Sequence, residues 1–120
     1  MTTRNDISQL LSLEGKHAVV TGSATGIGEG IAEIFAAAGA QVTVADRDGV
    51  GAQRVASAIG GRAVQVDLTN EKEVLDLING MEQVDIVVNN AGSYFDVGPI
   101  LDQSIDSWRR AMDNNLTTCY

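Results

Sequence analysis

Short apolar runs alternate with longer segments along this chain. The apolar runs occupy residues 17–21, 41–45, 63–66 and 84–89, and each is followed by a segment of helix-like composition. The first, second and fourth runs are continuously apolar, which is typical of strands covered on both faces, as in a parallel sheet. Right-handed crossovers between such strands predict a doubly wound α/β arrangement.

The segments between the apolar runs predict four helices. They extend from the glycine-rich turn to Ala38, over residues 50–59, over residues 71–79, and from near Ser104 into the end of the chain. Gly39 can take the positive φ that ends the first helix, and Gly60 and Gly61 stop the second. Thr69 or Asn70 is expected to cap the third helix.

Composition limits the classes of function. The chain of 120 residues, 44% of them hydrophobic, has the size of one domain, and we expect that domain to span residues 1–120 with residues 1–14 as a loose lead-in. The net charge of −8 argues against binding to nucleic acid or to anionic membrane surfaces. No apolar run approaches the ~18 residues of a membrane span. Cys119 is the only cysteine, so a reducing, cytoplasmic location is expected.

A glycine-rich turn joins the first strand to the first helix. Residues 21–28 read TGSATGIG, with Gly22, Gly26 and Gly28 spaced G-x-x-x-G-x-G. One glycine permits a tight turn, one lets the backbone approach a pyrophosphate, and one lets helix and strand pack closely. The helix N-terminus adds free N–H donors and about half a positive charge, so an acidic protein can hold a diphosphate there. The alternative is a glycine-rich turn that binds no ligand.

An acidic residue ends the second strand. Asp46 lies eighteen residues after Gly28, where a carboxylate can accept hydrogen bonds from both ribose hydroxyls of a dinucleotide. It would also repel a 2′-phosphate, so it favours NAD over NADP. Arg47 is the opposing signal, because an arginine there can pair with that phosphate. The alternative role of Asp46 is that of a turn residue beside the next helix.

The third and fourth strands also end in polar residues. Asp67 can accept a hydrogen bond from an adenine amino group with Leu68 beside the ring, or it can cap the next helix. Residues 89–92 read NNAG, and their amide side chains can tie loops together while Ala91 and Gly92 let the backbone reach a ligand. Ligands bind beyond the carboxyl ends of the strands in open α/β sheets.

Together with Asn115, these motifs resemble the short-chain dehydrogenase/reductase family over residues 13–120. The resemblance implies a Rossmann-like doubly wound parallel sheet, a dinucleotide cofactor and a homo-oligomer. The implied cofactor-binding residues are Thr21, Gly22, Ser23, Gly26, Ile27, Gly28, Asp46, Arg47, Asp67, Leu68, Asn89, Ala91 and Gly92. Asn115 matches the active-site asparagine, whose backbone helps to hold a water in a proton relay; its neighbour Asn114 is the alternative match. Trp108 is expected to pack in the core.

The family's reaction is hydride transfer between a nicotinamide and an alcohol or carbonyl, and it uses a serine and a Tyr-x-x-x-Lys pair. Neither Tyr94 nor Tyr120 is followed by a lysine at that spacing, since the only lysines are Lys16 and Lys72. We therefore expect the cofactor-binding part of an NAD-dependent oxidoreductase, truncated before the catalytic segment, with a sheet incomplete on its C-terminal side and no activity alone. The alternatives are a non-catalytic nucleotide-binding or interaction module and, ranked lower, a sugar-nucleotide epimerase.

Overall fold

The computed structural model describes residues 8–94 and 96–120. Residues 1–7 of the expected lead-in lie outside the described residues. Residues 8–10 are helical, and the N–H of Leu13 donates a hydrogen bond of 2.8 Å to the carbonyl of Ala38. The end of the lead-in is therefore attached to the body of the domain through the end of the first helix.

Within the described residues, four parallel strands form one sheet in the order β3-β2-β1-β4. They are β1 (His17–Thr21), β2 (Gln41–Asp46), β3 (Arg62–Gln65) and β4 (Ile86–Val88). The chain order reverses between β1 and β4, and open α/β sheets bind ligands at such a reversal. The expected Rossmann-like parallel sheet is confirmed.

In the part of the chain that the structure describes, each strand is followed by one α-helix. The helices are α1 (Gly26–Ala37), α2 (Gly49–Ile59), α3 (Glu71–Asn79) and α4 (Ile105–Asn115), with short 3₁₀ turns at Ile100–Asp102 and Thr117–Cys119. Gly39 follows α1 with the predicted positive φ, at +100°, and Gly60 ends α2 as predicted, with a φ of +68°. Asn70 is the residue that caps α3, since its side chain accepts from the N–H of Lys72 at 3.1 Å.

Successive strand residues point to opposite faces of the sheet, so both faces carry apolar side chains. Helices cover both of these faces. On one face, Val20 and Val44 pack against Ala32 of α1 and Val55 of α2, and all four are at most 1% exposed. On the other face, a smaller cluster contains Val19, Ala45, Val66 and, from α3, Leu77. The continuous apolar character of β1 and β2 follows from this two-sided burial.

The fourth strand is shorter than predicted. It was expected over residues 84–89, but only Ile86–Val88 pairs with β1. At one end, the carboxylate of Asp85 accepts the N–H of His17 at 2.8 Å, which a backbone carbonyl would otherwise take. At the other end, the hydroxyl of Thr21 accepts the N–H of Asn90 at 3.1 Å. Side chains therefore end the ladder on both sides.

The last helix also ends earlier than expected. It was predicted to continue to the chain end, but it stops at Asn115 and is followed by a 3₁₀ turn. The side chains of Asn114 and Asn115 donate to the carbonyls of Arg110 and Ala111. Asparagine side chains compete with the helical backbone for its hydrogen bonds, which favours termination there.

Apolar side chains remain exposed on β4, which is an edge strand of the described sheet, and on α4. Val87 on β4 is 53% exposed. On α4, Ile105 is 62% and Trp108 53% exposed, and Leu116, directly after the helix, is 60% exposed. The expectation that Trp108 packs in the core is wrong, because the residue is half-exposed and belongs to neither core cluster of the described residues.

Candidate functional site

A cleft of about 340 Å³ opens at the carboxyl ends of the four strands. Its lining comes from the loops that follow all four strands and from the end of α4. The lining includes seven residues predicted to bind a cofactor, namely Gly22, Asp46, Arg47, Asp67, Leu68, Ala91 and Gly92. The fold therefore brings together residues that are up to 70 positions apart, as the sheet topology requires (92 − 22).

Two glycines of the turn allow β1, α1 and the loop after β4 to pack closely. A Cβ on Gly22 would lie 2.7 Å from the Cα of Ala91, and Gly22 has a φ of +63°. A Cβ on Gly28 would lie 2.3 Å from the carbonyl oxygen of Gly22 and 2.6 Å from Nδ2 of Asn90. Neither position has room for a side chain, so these glycines are needed for packing.

Gly26 differs from the other two glycines of the turn. Its φ is +63°, but apart from its chain neighbours and its own helix backbone, a Cβ there would meet no atom of the described residues within 4 Å. It is the first residue of α1, and Thr25, the N-cap, makes no side-chain capping hydrogen bond within the described chain. The N–H groups of a first helical turn need a partner from outside the helix. The open side of this turn therefore offers backbone donors to an anion.

Asp46 lies beside this turn, at the end of β2. Its Oδ2 accepts from the N–H of Ala24 at 3.0 Å, and its Oδ1 accepts from the N–H of Asp48 at 2.9 Å. The second bond is the turn role considered for Asp46, and the first joins β2 to the glycine turn. Each carboxylate oxygen has about two acceptor positions, so both oxygens retain capacity for a ligand hydroxyl.

Asp67 and Leu68 follow β3, the strand that pairs with β2 on the side away from β1. The amide and the hydroxyl of Thr69 both donate to Oδ1 of Asp67, at 2.9 and 2.6 Å. These hydrogen bonds hold the pKa of Asp67 below its usual value, so the group is a carboxylate at neutral pH. Asn70 provides the side-chain cap of α3, so the alternative role of Asp67 as that cap is wrong.

Residues after β4 are fastened to the glycine turn. The hydroxyl of Thr21 accepts from the amides of Asn90 and Ala91 at 3.1 and 3.0 Å and donates to the carbonyl of Val88. Nδ2 of Asn90 donates to the carbonyls of Thr21 and Gly22, both at 3.0 Å. Asn90 was not among the predicted site residues, although its place in the NNAG motif is the signal that identifies it. Thr21 acts here as a structural link.

Asn115 fixes the next stretch of the same loop. Its Nδ2 donates to the carbonyl of Ser93 at 2.6 Å, and its Oδ1 accepts from the N–H of Ser93 at 3.1 Å. A Cβ on Gly92 would lie 2.7 Å from that Oδ1. The neighbouring Asn114 lines the cleft, and among the described contacts its side chain bonds only to its own helix. The side chain of Asn115 therefore ties α4 to the cleft wall.

Four other residues predicted to bind a cofactor have fewer contacts that relate them to the cleft. Ser23 is fully buried and its hydroxyl donates to the carbonyl of Val20 at 2.6 Å, so that hydroxyl supports the turn from inside. Ile27 is 77% exposed at the start of α1. Asn89 is exposed and makes a long 3.4 Å hydrogen bond to the carbonyl of Cys119. Arg47 is an exposed residue at the rim of the cleft.

Two further observations describe the part of the chain that the structure covers. Within residues 8–94 and 96–120, histidine, cysteine and acidic side chains form no group of three that could hold a metal ion. Over the same residues, no helix has the length and apolar character to span a membrane.

Known proteins match this chain in sequence and in fold. The family model described as short chain dehydrogenase matches residues 16–120. Galactitol 2-dehydrogenase of Agrobacterium fabrum is 39% identical over 112 residues, which cover 88% of this chain and 43% of that protein. L-fucose dehydrogenase of Oryctolagus cuniculus is 36% identical over 111 residues, which cover 88% of this chain and 39% of that protein.

A solved structure has the same fold. It is 3-ketoacyl-(acyl-carrier-protein) reductase from Brucella melitensis complexed with NADH. The two sequences are 38% identical, the superposition has a TM-score of 0.86, and the match covers 91% of this chain and 48% of the reductase chain. The chain spans less than half the length of these matched proteins.

Proposed function

The chain belongs to the short-chain dehydrogenase/reductase family, and from that premise we propose that it forms the NAD-binding part of an oxidoreductase. The observation that carries this proposal is the open backbone at Gly26, at the start of a helix whose N-cap, Thr25, makes no side-chain capping bond in the described chain. The other three helices have side-chain caps from Asp48, Asn70 and Ser104.

The residues around the cleft fit a dinucleotide in chemical type. Backbone donors at the start of α1 suit a diphosphate, which needs hydrogen-bond donors and little net charge from this acidic chain. Asp46 has acceptor capacity for ribose hydroxyls, and Asp67 for an adenine amino group with Leu68 beside it. When bound, the nicotinamide supplies a hydride donor or acceptor; the residues of this chain bind and orient the cofactor.

We propose NAD as the preferred cofactor because Asp46 would repel a 2′-phosphate. Two unit charges 4 Å apart repel by about 4 kcal/mol at an effective dielectric constant of 20. Solvent at the rim reduces this, so we expect NAD to bind about tenfold more tightly than NADP. Arg47 is the residue that works against this preference, since its guanidinium can pair with the added phosphate.

Calorimetric titration of the chain with NAD and NADP tests the proposal. Asp46→Asn keeps most of the side-chain shape and removes the charge, so it should reduce the preference for NAD to about threefold or less. Glu82→Gln, which removes an exposed charge after α3, is the matched control and should leave the ratio unchanged. Tighter binding of NADP than NAD by the unaltered chain would contradict the role given to Asp46.

We propose that the complete reaction oxidises an alcohol or reduces a carbonyl. The names of two relatives, a galactitol dehydrogenase and an L-fucose dehydrogenase, make polyols and sugars the first substrates to assay. Asn115, whose side chain already orders the loop after β4, is the residue we propose for the active-site water contact through its backbone. The chain itself lacks a Tyr-x-x-x-Lys pair, so we expect NAD binding without turnover.

The second candidate is a non-catalytic nucleotide-binding or interaction module. The exposed apolar side chains of β4 and α4 are the observation that favours it, because such a surface suits contact with another protein segment. The same surface supports a homo-oligomer, which size-exclusion chromatography with light scattering would detect. A cytoplasmic location is proposed from the single cysteine alone.

A further inference from the structure

We propose that Arg54 is a positioning residue for the diphosphate-binding turn: it fixes the carbonyl of Ala24 and neutralises Glu29, so that the start of α1 can accept an anion. This inference rests on the proposed dinucleotide-binding function. Arg54 lies on α2, thirty residues from Ala24 in the sequence, and none of the motifs in the glycine turn includes it.

Arg54 makes three hydrogen bonds to the turn and to α1. Its Nη2 donates to the carbonyl of Ala24 at 2.9 Å and to Oε2 of Glu29 at 3.1 Å, while Nη1 donates to Oε1 of Glu29 at 2.8 Å. The contact with Glu29 is a bidentate pair, which a planar guanidinium forms and an ammonium cannot reproduce. One side chain on α2 therefore holds both the turn and the first turn of α1.

The two peptide units that flank Ala24 are each held by a side chain from α2 or β2. Asp46 accepts the N–H of Ala24 at 3.0 Å, and Arg54 donates to the carbonyl of Ala24 at 2.9 Å. Ala24 is 2% exposed, and a Cβ on Gly51 of α2 would lie 2.9 Å from its Cβ. The orientation of the Ala24–Thr25 peptide, whose oxygen Arg54 holds, sets the direction in which the chain enters α1. Arg54 thus helps to determine where the backbone donors of α1 point.

The charge of Glu29 makes the pairing relevant to ligand binding. Glu29 lies in the first turn of α1, three residues after Gly26. A carboxylate there stabilises the helix dipole, but it also repels a diphosphate that approaches the same N-terminus. The guanidinium lowers the pKa of Glu29, and Glu29 raises the pKa of Arg54, so both are charged and mutually compensated at neutral pH. Without Arg54, Glu29 would present an uncompensated negative charge.

Arg54→Met tests the inference, because methionine keeps much of the side-chain stem without charge or donors. Calorimetric titration should show NAD binding about five- to tenfold more weakly, with adenosine binding unchanged, since adenosine has no phosphate. Arg54→Lys keeps the positive charge but not the planar pair of N–H donors, and it should bind NAD about twofold to threefold more weakly than the unaltered chain. Adding Glu29→Gln to Arg54→Met should recover most of the NAD affinity, which a simple folding defect would not do.

Arg62→Met is the matched control. Arg62 is also exposed and donates to a backbone carbonyl, that of Gly80, at 2.8 Å, but it contacts neither the turn nor Glu29 in the described chain. Its NAD affinity should equal that of the unaltered chain.

Three results would overturn the role of Arg54 alone: unchanged NAD affinity in Arg54→Met, an equal loss for adenosine, or no recovery with Glu29→Gln. If the unaltered chain bound neither NAD nor NADP, the proposed function and this inference would both be wrong.

Discussion

Replacing Gly28 with alanine should destabilise the domain, although alanine is the better helix former. A Cβ at position 28 would lie 2.3 Å from the carbonyl oxygen of Gly22 and 2.6 Å from Nδ2 of Asn90. Both neighbours are held in place, because Nδ2 of Asn90 donates to the carbonyls of Thr21 and Gly22. The new methyl group must therefore displace backbone or break these hydrogen bonds.

The size of the effect follows from three contributions. Overpacking costs about 1–3 kcal/mol, and weakening the two Asn90 hydrogen bonds costs about 0.5–1.5 kcal/mol each. Alanine returns about 1 kcal/mol through its higher helix propensity. We expect a net loss of about 2–3 kcal/mol in the free energy of unfolding, which for a domain of this size lowers Tm by about 10 °C.

Gly30→Ala is the control in the same helix. Outside its chain neighbours and its own helix backbone, a Cβ at position 30 would meet no atom of the described part of the chain within 4 Å. This change should therefore give only the propensity gain, about 0.5–1 kcal/mol, and raise Tm by about 2–4 °C. Thermal unfolding followed by circular dichroism, together with urea titration, would measure both variants.

We expect the change in the free energy of unfolding to have opposite signs for Gly28→Ala and Gly30→Ala. If Gly28→Ala were as stable as the unaltered chain, or gained stability as Gly30→Ala does, the close contact of α1 with the loop after β4 would not limit residue size. The explanation given for the third glycine of the motif would then be wrong.

Two other predictions concern the cleft wall. Asn115→Ala should lower the free energy of unfolding by about 1–3 kcal/mol and speed amide exchange at Ser93. Asn114→Ala is the control and should leave exchange at Ser93 unchanged. Equal exchange rates in both variants would contradict the anchoring role of Asn115. The pH dependence of stability should include Asp67, because the amide and hydroxyl of Thr69 lower its pKa in the folded state. This stabilisation is present above the unfolded pKa of about 3.9 and is lost as the pH falls through the lower folded value, so Asp67→Asn should flatten the stability curve in acid.

Much of the fold could be predicted because local pattern determines it. Continuous apolar runs identify β1 and β2 as buried strands, and glycines with positive φ end α1 and α2 where the sequence places them. The family motifs then indicated the polar residues at the strand ends. Seven of the thirteen residues predicted to bind a cofactor line the cleft, and the contacts of all thirteen with a cofactor stay predictions.

The predicted ends of β4 and α4 were wrong where side chains form hydrogen bonds that backbone groups would otherwise form. The length of β4 depends on Asp85 and Thr21, which take amides that a longer ladder would use. The end of α4 depends on asparagines that bond back to their own helix. Trp108 was expected in the core because apolar character does not by itself show which surface a neighbouring element covers.

By itself, the sequence determined the order of elements, the two-sided burial of the strands, the glycine turn and the family, since each depends on residue types at short or fixed spacing. Only the tertiary structure decided that Asn90 bonds to Thr21, that Asn115 holds Ser93, and that Arg54 joins the turn to Glu29. Those pairs are 69, 22 and 25 residues apart. They meet because parallel strands and packed helices place distant surface positions opposite each other, and local periodicity carries no information about which positions those are.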